Sequence, residues 1–588
     1  MPWLRSLRQW QYADDWILQC PVEQLPILLE AISSVLDDLR LPLQLVKCQL
    51  HVPSWIAGPP AGYTPPAGIS YRAGGIELLG TSACGDLRTP LTFGEDIPAQ
   101  TADRIAKALA LARRACQLAR AAPQTGGRQP AFAIARGIIS HALDFDAGVL
   151  PCSVLLPYAD QINTAVLEVV AASMDVDAAA LTPLMRRQLW LPRRWGGLQL
   201  SDSVVMVPLA RSATLMRQGP RLRETIQSWR YPPDGRDLSW KVHDPTVLDG
   251  VGTGQELLDH FHACGVGPLS GNGTPQDQGC TLAEDPLRPA HPADKLLSKL
   301  LRSAADAAAA TLYSESPPDD QIRLLSAGGP SAGSSLVAPL SMDGVHFSDW
   351  QWSEALRWRL GFTSPGCLAR CQNQAHGQQG VCGTLLDPGQ DHAVDCEFGP
   401  LRTRRHDGIA DVYADIAEEC GALARREVFV QELTGAKEAW LDVWAYGIHG
   451  IDDLLLDITV RHPRAARYRP RSEAVSGAAA AVGEREKYDR YPAAAGRSVW
   501  PVSYETWGRA GEAAETLLVS LAAAARHRAH RRGRACGQEL ARWRARIDGT
   551  LQRAVVAQLA AAHHGLPGRR AYRARPLDLA SLEASTPV

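Results

Sequence analysis

Two apolar segments each carry a single acid. They are Trp440-Leu441-Asp442-Val443-Trp444 and Leu454-Leu455-Leu456-Asp457-Ile458-Thr459-Val460. Their length and apolar character predict strands. A carboxylate in such a place is costly unless it is paired or bound to metal. On neighbouring strands two carboxylates can share one Mg²⁺ or Mn²⁺. Lys487, on the helix expected to follow, can then orient water and steady the charge of a phosphorane. The chemistry this suits is metal-assisted cleavage of a phosphodiester. The plainer alternative is a pair of half-exposed acids on a sheet edge.

A second constellation is Cys367-x3-Cys371-x10-Cys382-x9-His392-x3-Cys396. Tetrahedral zinc takes four thiolate or imidazole ligands, and a His shortly before a Cys suits one turn of backbone. Cys371, Cys382, His392 and Cys396 are the expected ligands of a structural Zn²⁺. Cys367 is the substitute for Cys371, and His376 is a weaker candidate; ordinary buried thiols are the alternative. A third constellation is Tyr12-Ala13-Asp14-Asp15, where Asp14 and Asp15 in a tight turn between strands could grip Mg²⁺. Taken alone, that turn is equally a hairpin with solvated acids.

The elements that must position these groups follow from patterning. Residues 1–95 read as strand, helix, strand, with Leu28, Ile32, Val35, Leu36 and Leu39 at helical spacing. Residues 96–230 read as mostly helical, with Ile105, Leu109, Ala112 and Cys116 on one face, ending near the Leu191–Leu198 glycines. Residues 231–350 read as linker-rich, with GPLSGNGTPQDQG and GGPSAGSS flanking an alanine-rich helix at about 293–312. Residues 355–400 hold the Cys and His cluster, 401–510 alternate helix and strand, and 511–588 are helical and basic. In the last, Leu540, Trp543, Ile547, Leu551, Val555 and Leu559 form an apolar stripe expected to pack and leave its arginines outward.

With 588 residues the chain exceeds one core, and about three or four domains of α+β type are expected. Thirteen cysteines in a chain of this size fit a reduced intracellular protein better than a disulfide scaffold. No apolar run is long enough for a membrane span, and the N-terminus lacks a signal-peptide core. The formal net charge of -2 hides a segregation: thirteen arginines lie between Arg526 and Arg575 against Glu539 and Asp548. Such a block is either a solvated face or a surface for a polyanion. Arg531, Arg532 and Arg534 are its nucleic-acid-binding candidates.

The order of these motifs resembles the C-terminal part of a non-LTR (LINE-type) retrotransposon reverse transcriptase. Tyr12–Asp15, the Leu41–Cys48 segment with Lys47, and Leu78-Leu79-Gly80 resemble the last motifs of a reverse-transcriptase palm. The resemblance implies a partial palm over 1–95, a helical thumb over 96–230, a zinc knuckle, and a restriction-like PD-(D/E)xK endonuclease over 401–510. Arg404-Arg405-His406-Asp407 resembles the helix start of that endonuclease, so that Arg404, Arg405 and His406, like Lys47 of the palm segment, are expected nucleic-acid contacts; Asp442 and Asp457 match its metal-binding acids, and Lys487 its displaced lysine. Leu441 departs from the proline usual before the first acid, and Thr459 stands where the commoner pattern has lysine. The implied function is target-DNA nicking beside an RNA-directed DNA polymerase, with target DNA and element RNA as partners and the nucleus as location. Only eleven residues precede Tyr12, so the fingers and the first palm Asp are not expected here, nor polymerase activity from this chain alone. The rival expectation is a catalytically decayed fragment that binds nucleic acid through the knuckle and basic tail. Oligomeric state is not legible.

Overall fold

A computed structural model describes residues 8–12, 15–19, 25–38, 49–52, 70–73, 76–78, 81–83, 99–121, 126–148, 150, 152–214, 269–270, 279–280, 296–362, 369–374, 380–433, 438–451, 453–491, 498–531 and 538–565. The chain divides into two units, Met1–Asp103 with Arg221–Thr253, and Arg104–Pro220 with Gly254–Val588.

In the first unit β1 (Arg8–Tyr12) pairs antiparallel with β2 (Asp15–Gln19), Tyr12 opposite Asp15. The helix α1 (Leu25–Asp38) follows and buries Leu28, while Val35 of the expected apolar face stays exposed. β3 (Gln49–Val52) pairs parallel with β4 (Ser70–Ala73), and β5 (Ile76–Leu78) antiparallel with β6 (Thr81–Ala83). Asp14 and Lys47 lie outside the described residues, and Asp15 is described only as backbone.

The second unit is mixed α and β. Its helical portion begins with α2 (Ala99–Arg120), whose start straddles the boundary between the units. Ile105, Ala108, Ala112, Ala115 and Ala119 form its buried face; Cys116 is only half buried. Helices α3 (Arg128–Gly137), α4 (Cys152–Ser173) and α5 (Pro183–Trp190) follow. The Leu191–Leu198 segment turns back under α5. A Cβ at Gly197 would lie 1.9 Å from the Leu191 carbonyl oxygen, so only glycine fits. Beyond two short strands, β7 (Leu269–Ser270) and β8 (Gly279–Cys280), come α6 (Leu296–Glu315), α7 (Pro318–Ala327) and α8 (Asp349–Leu360).

GGPSAGSS, expected as an open linker, is instead part of the interior. Ala332 and Ser335 are fully buried, and Asp548 accepts hydrogen bonds from the N–H groups of Gly333 (3.0 Å) and Ser335 (2.9 Å). Glycine and serine were needed here for close approach: a Cβ at Gly333 would meet the Arg359 guanidinium at 2.7 Å. The composition of a flexible linker and that of a tight anion-binding turn coincide.

α9 (Asp391–Asp395) leads into α10 (Leu401–Glu419), which shares a core with one face of the sheet. Its strands are β9 (Leu423–Phe429), β10 (Trp440–Tyr446), β11 (Leu454–Arg461) and β12 (Val499–Glu505). Their order is β12-β11-β10-β9. The first three in sequence run antiparallel to one another, and β12 returns parallel to β11 after α11 (Ala478–Arg490). A parallel return needs a crossover, and α11 is that crossover. β11 is buried along Leu454–Thr459 because helices cover both faces.

α12 (Glu512–Arg531) and α13 (Glu539–His564) close the unit. Trp543, Ile547, Leu551, Val555 and Leu559 are buried as their spacing predicts, in one core with Ile409, Tyr413, Val443 and Leu456. The expected separation of 401–510 from 511–588 therefore does not describe the packing. The expectation of outward arginines fails too. Arg544 pairs with Glu515 at 2.7 Å, Arg546 with Asp415 at 2.7 Å and Glu419 at 2.5 Å, and Arg542 with Glu419. Arg553 donates to the carbonyls of Gly344 (2.9 Å) and His346 (3.1 Å). These arginines fasten α13 to its neighbours, a use that charge counting cannot separate from polyanion binding. No helix of the described residues is long and apolar enough to cross a membrane.

Candidate functional site

Asp442 sits at the middle of β10 and Asp457 at the middle of β11. The paired register ends at Val443↔Leu456, so the two acids are the next residue along on each strand, and their carboxyls lie within hydrogen-bonding reach of one another. Cross-strand neighbours on one face are close. The antiparallel turn after Tyr446 thus does what the sequence required of it. Asp457 is almost fully buried and Asp442 mostly so.

Each acid has its own cation. Lys487, in the last turn of α11, donates from Nζ to Asp457 Oδ1 at 2.5 Å. His406, in the first turns of α10, places Nε2 3.0 Å from Asp442 Oδ2, and its Nδ1 is 3.0 Å from Asp407 Oδ1. The Ile458 N–H also donates to Asp442 Oδ2, at 2.6 Å. The two carboxyls consequently diverge. Burial and the charge of Asp442 push Asp457 up, and Lys487 only partly offsets them. Burial acts the same way on Asp442, but His406, the Ile458 N–H and Lys487 outweigh it and hold that carboxyl down. Burial alone would lower His406; the hydrogen bonds and charges of Asp442 and Asp407 raise it to about 9. Of the two carboxyls, Asp457 is the one whose charge burial still penalises on balance.

The crossover helix is anchored at both ends. Glu505, buried at the end of β12, accepts from the N–H groups of Ala479 (3.0 Å) and Ala480 (3.4 Å) at the start of α11. Glu484 accepts from the Ala513 N–H at the start of α12, at 3.0 Å. Acids at helix N-termini satisfy orphan donors and complement the dipole. Glu486 holds Arg461 at 2.6 Å and also pairs with Arg467. Sequence reasoning missed Tyr491, which is buried four residues after Lys487. Burial and the Asp457 charge push its hydroxyl up to about 12. The four-residue spacing after Lys487 was the available signal.

A small open cleft of ≈ 290 Å³ lies beside the acids, lined by Arg402, Thr403, Arg405, His406, Thr459, Val460 and Arg461. Thr459 and Arg461 share the face of Asp457 by strand alternation. Of the expected nucleic-acid contacts, His406 faces the cleft but is engaged by Asp442. Arg404 is half exposed on α10. Arg405 is buried, donating to the Val394 carbonyl (3.2 Å) and to Gln558 Oε1 (2.7 Å), so it acts as a structural tie and not as a phosphate contact. Its side chain faces Val394 and α13 because α10 is covered there, which a basic helix start did not reveal. Arg531 is described only as the backbone end of α12, and Arg532 and Arg534 lie outside the described residues.

The second site is the cluster of Cys371, Cys382, His392 and Cys396, whose ligand atoms all lie within 4.8 Å of one another. Cys371 Sγ and Cys396 Sγ are 3.8 Å apart, and Cys382 Sγ is 3.3 Å from His392 Nε2. With Zn–S bonds of about 2.3 Å, tetrahedral geometry sets S···S edges near 3.8 Å. The donor set and spacing fit a metal such as zinc. Burial, then the charges of Cys396 and Cys382, push the Cys371 thiol up to about 12, a penalty that a bound cation would remove. Asp387 shapes the ligand helix by accepting from the N–H groups of Asp391 and His392, both at 2.9 Å. Cys367 and His376 lie outside the described residues.

No family model matches this sequence, and no curated protein matches it either.

Proposed function

We propose that the second unit is a metal-dependent DNA endonuclease of the restriction-like kind, part of a retrotransposon-derived protein that nicks target DNA. The observation that carries this reading is the convergence of Asp442, Asp457 and Lys487 across two strands and a crossover helix. A purely structural acid pair would not need to be duplicated face to face in a buried strand. Asp442 and Asp457 would hold Mg²⁺ or Mn²⁺, which activates bound water and neutralises phosphate charge. Lys487 donates to Asp457 and can move that hydrogen bond to a water or a non-bridging oxygen. Arg461 and Arg402 line the adjoining cleft; each would exchange its present partner, Glu486 or Glu397, for a phosphate. His406 keeps Asp442 ionised and oriented.

The binding-only alternative loses support from the arginines of α13, which are engaged within the fold. The palm reading of the first unit rests on motif order and on a hairpin that sets Tyr12 opposite Asp15. Target DNA and element RNA are the proposed partners, and the nucleus the proposed location. The test is nicking of a supercoiled plasmid with Mg²⁺ or Mn²⁺ by wild type and Asp457→Ala. Relaxed circles should accumulate only with wild type. Equal nicking by both proteins would assign the cleavage to a contaminant.

A further inference from the structure

The knuckle is not a tethered finger; it is built into the wall of the candidate nuclease. Gln372 donates its N–H to the Ala562 carbonyl at 2.8 Å, and the Val394 carbonyl accepts from Arg405 and, at 3.2 Å, from Gln558. A third link runs to the sheet. Asp391 opens α9, the helix that carries two of the four ligands, His392 and Cys396 at its end. Its Oδ1 is 3.1 Å from His462 Nε2 and 3.2 Å from Arg464 Nη1. His462 immediately follows β11, and its Nδ1 is 2.9 Å from Thr506 Oγ1. Thr506 in turn donates its N–H to the Arg461 carbonyl at 3.1 Å.

The imidazole has no freedom to take other partners. It is almost fully buried, with Trp507 at 5.2 Å and Trp358 at 6.3 Å between ring centroids, and those two indoles stack at 4.5 Å. Arg464 lies over Trp507 at 4.9 Å and donates to the Asp319 carbonyl at 2.7 Å. The path from the cluster to the strand bearing Asp457 thus runs from His392 along the chain to Asp391 and then through part-buried and buried hydrogen bonds to His462, Thr506 and Arg461.

We infer that Asp391 and His462 are positioning residues through which metal occupancy of the Cys371, Cys382, His392, Cys396 cluster fixes the C-terminal half of β11. That half begins immediately after Asp457 and carries Thr459 and Arg461. The functional part of this inference rests on the nuclease reading, while its structural part does not. Without its metal, α9 has no covalent reason to keep its turn, because five residues are too few for a helix to persist alone. Asp391 then withdraws from His462, and the end of β11 loses its anchor. Outer partners of this sort typically change affinity or activity about 10–100-fold when removed.

The test uses the full chain, zinc-loaded, with three readouts: zinc content, amide hydrogen exchange of peptides covering 454–464, and plasmid nicking. Zinc chelation should speed exchange in that peptide and lower nicking. Asp391→Ala should do both with zinc still bound, by about tenfold or more in nicking. Asp391→Asn keeps an acceptor oxygen and should recover part of the loss. Because Asp391 adjoins a ligand, His462→Gln is measured beside it and decides the matter if Asp391→Ala loses zinc. Variants that retain zinc and show unchanged exchange overturn the inference. Changed exchange in a chain whose wild type nicks nothing would overturn the nuclease reading and leave the coupling standing.

Discussion

The two candidate metal sites differ in where their counter-charge comes from. The carboxylate pair has cations of its own: Lys487 beside Asp457 and His406 beside Asp442. The thiolate–imidazole cluster brings together three sulfurs and a ring nitrogen with no cationic side chain among them. A site with built-in cations can fold first and take metal later. A site of soft donors facing one another needs the ion as part of its fold. One arrangement suits exchangeable chemistry, the other permanent structure.

The largest expected effect lies at the cluster. Cys371→Ser, which leaves three good ligands around a buried position, should cost more than about 4 kcal/mol and release zinc. Withdrawing Mg²⁺ from the wild type should leave the unfolding midpoint nearly unchanged. Chemical denaturation with and without each ion measures both. A cluster variant as stable as wild type would erase the contrast.

Next comes Lys487→Met. It leaves Asp457 buried beside Asp442 without its ammonium, at a cost of about 3 kcal/mol in the absence of divalent ions. Added Mn²⁺ should restore part of that stability while nicking stays low. No recovery with Mn²⁺ would mean the acids cannot take an ion in place of the lysine.

Arg405 and Arg461 sharpen the distinction between structural and ligand-facing charge. Arg405→Gln should destabilise by about 1–3 kcal/mol, since it strips a buried hydrogen-bonded charge, and leave the salt dependence of DNA binding intact. Arg461→Gln gives up the ion pair with Glu486, so it should cost no more than about 1 kcal/mol, and it should reduce the salt slope by about one phosphate contact. The opposite pattern would reverse the two roles.

The smallest effect is in pH. His406, raised to about 9 in the fold from 6.5, contributes stability in full below about pH 6.5 and loses it as pH rises through 9. Asp442, held down, contributes above its ordinary range and loses that as pH falls. In zinc-loaded protein without Mg²⁺, thermal midpoints should decline between about pH 6.5 and 9, and His406→Asn should flatten the decline. Parallel curves for the two proteins would remove the His406–Asp442 pair from the account.

Much of this was legible in the residues. One acid per apolar strand, a lysine on the next helix and the Cys371, Cys382, His392, Cys396 spacing each led to groups that meet. Their meeting was legible because strand alternation and ligand spacing are local. What was not legible depended on partners far along the chain. Arg405, Arg544 and Arg546 looked available until Gln558, Glu515 and Asp415 were placed beside them. GGPSAGSS looked like a linker until Asp548 closed on it from a helix more than two hundred residues away. His462 is another case: nothing near it in the sequence points to Asp391, seventy-one residues away, as its partner.

Manganese binding interrogates the carboxylate pair without any DNA. Zinc-loaded protein is titrated with Mn²⁺, and the free ion is followed by electron paramagnetic resonance. Wild type should withdraw Mn²⁺ from solution, and Asp442→Asn combined with Asp457→Asn should leave it free. Equal retention by both proteins would show that the ion sits elsewhere and that the paired acids of β10 and β11 are not its site.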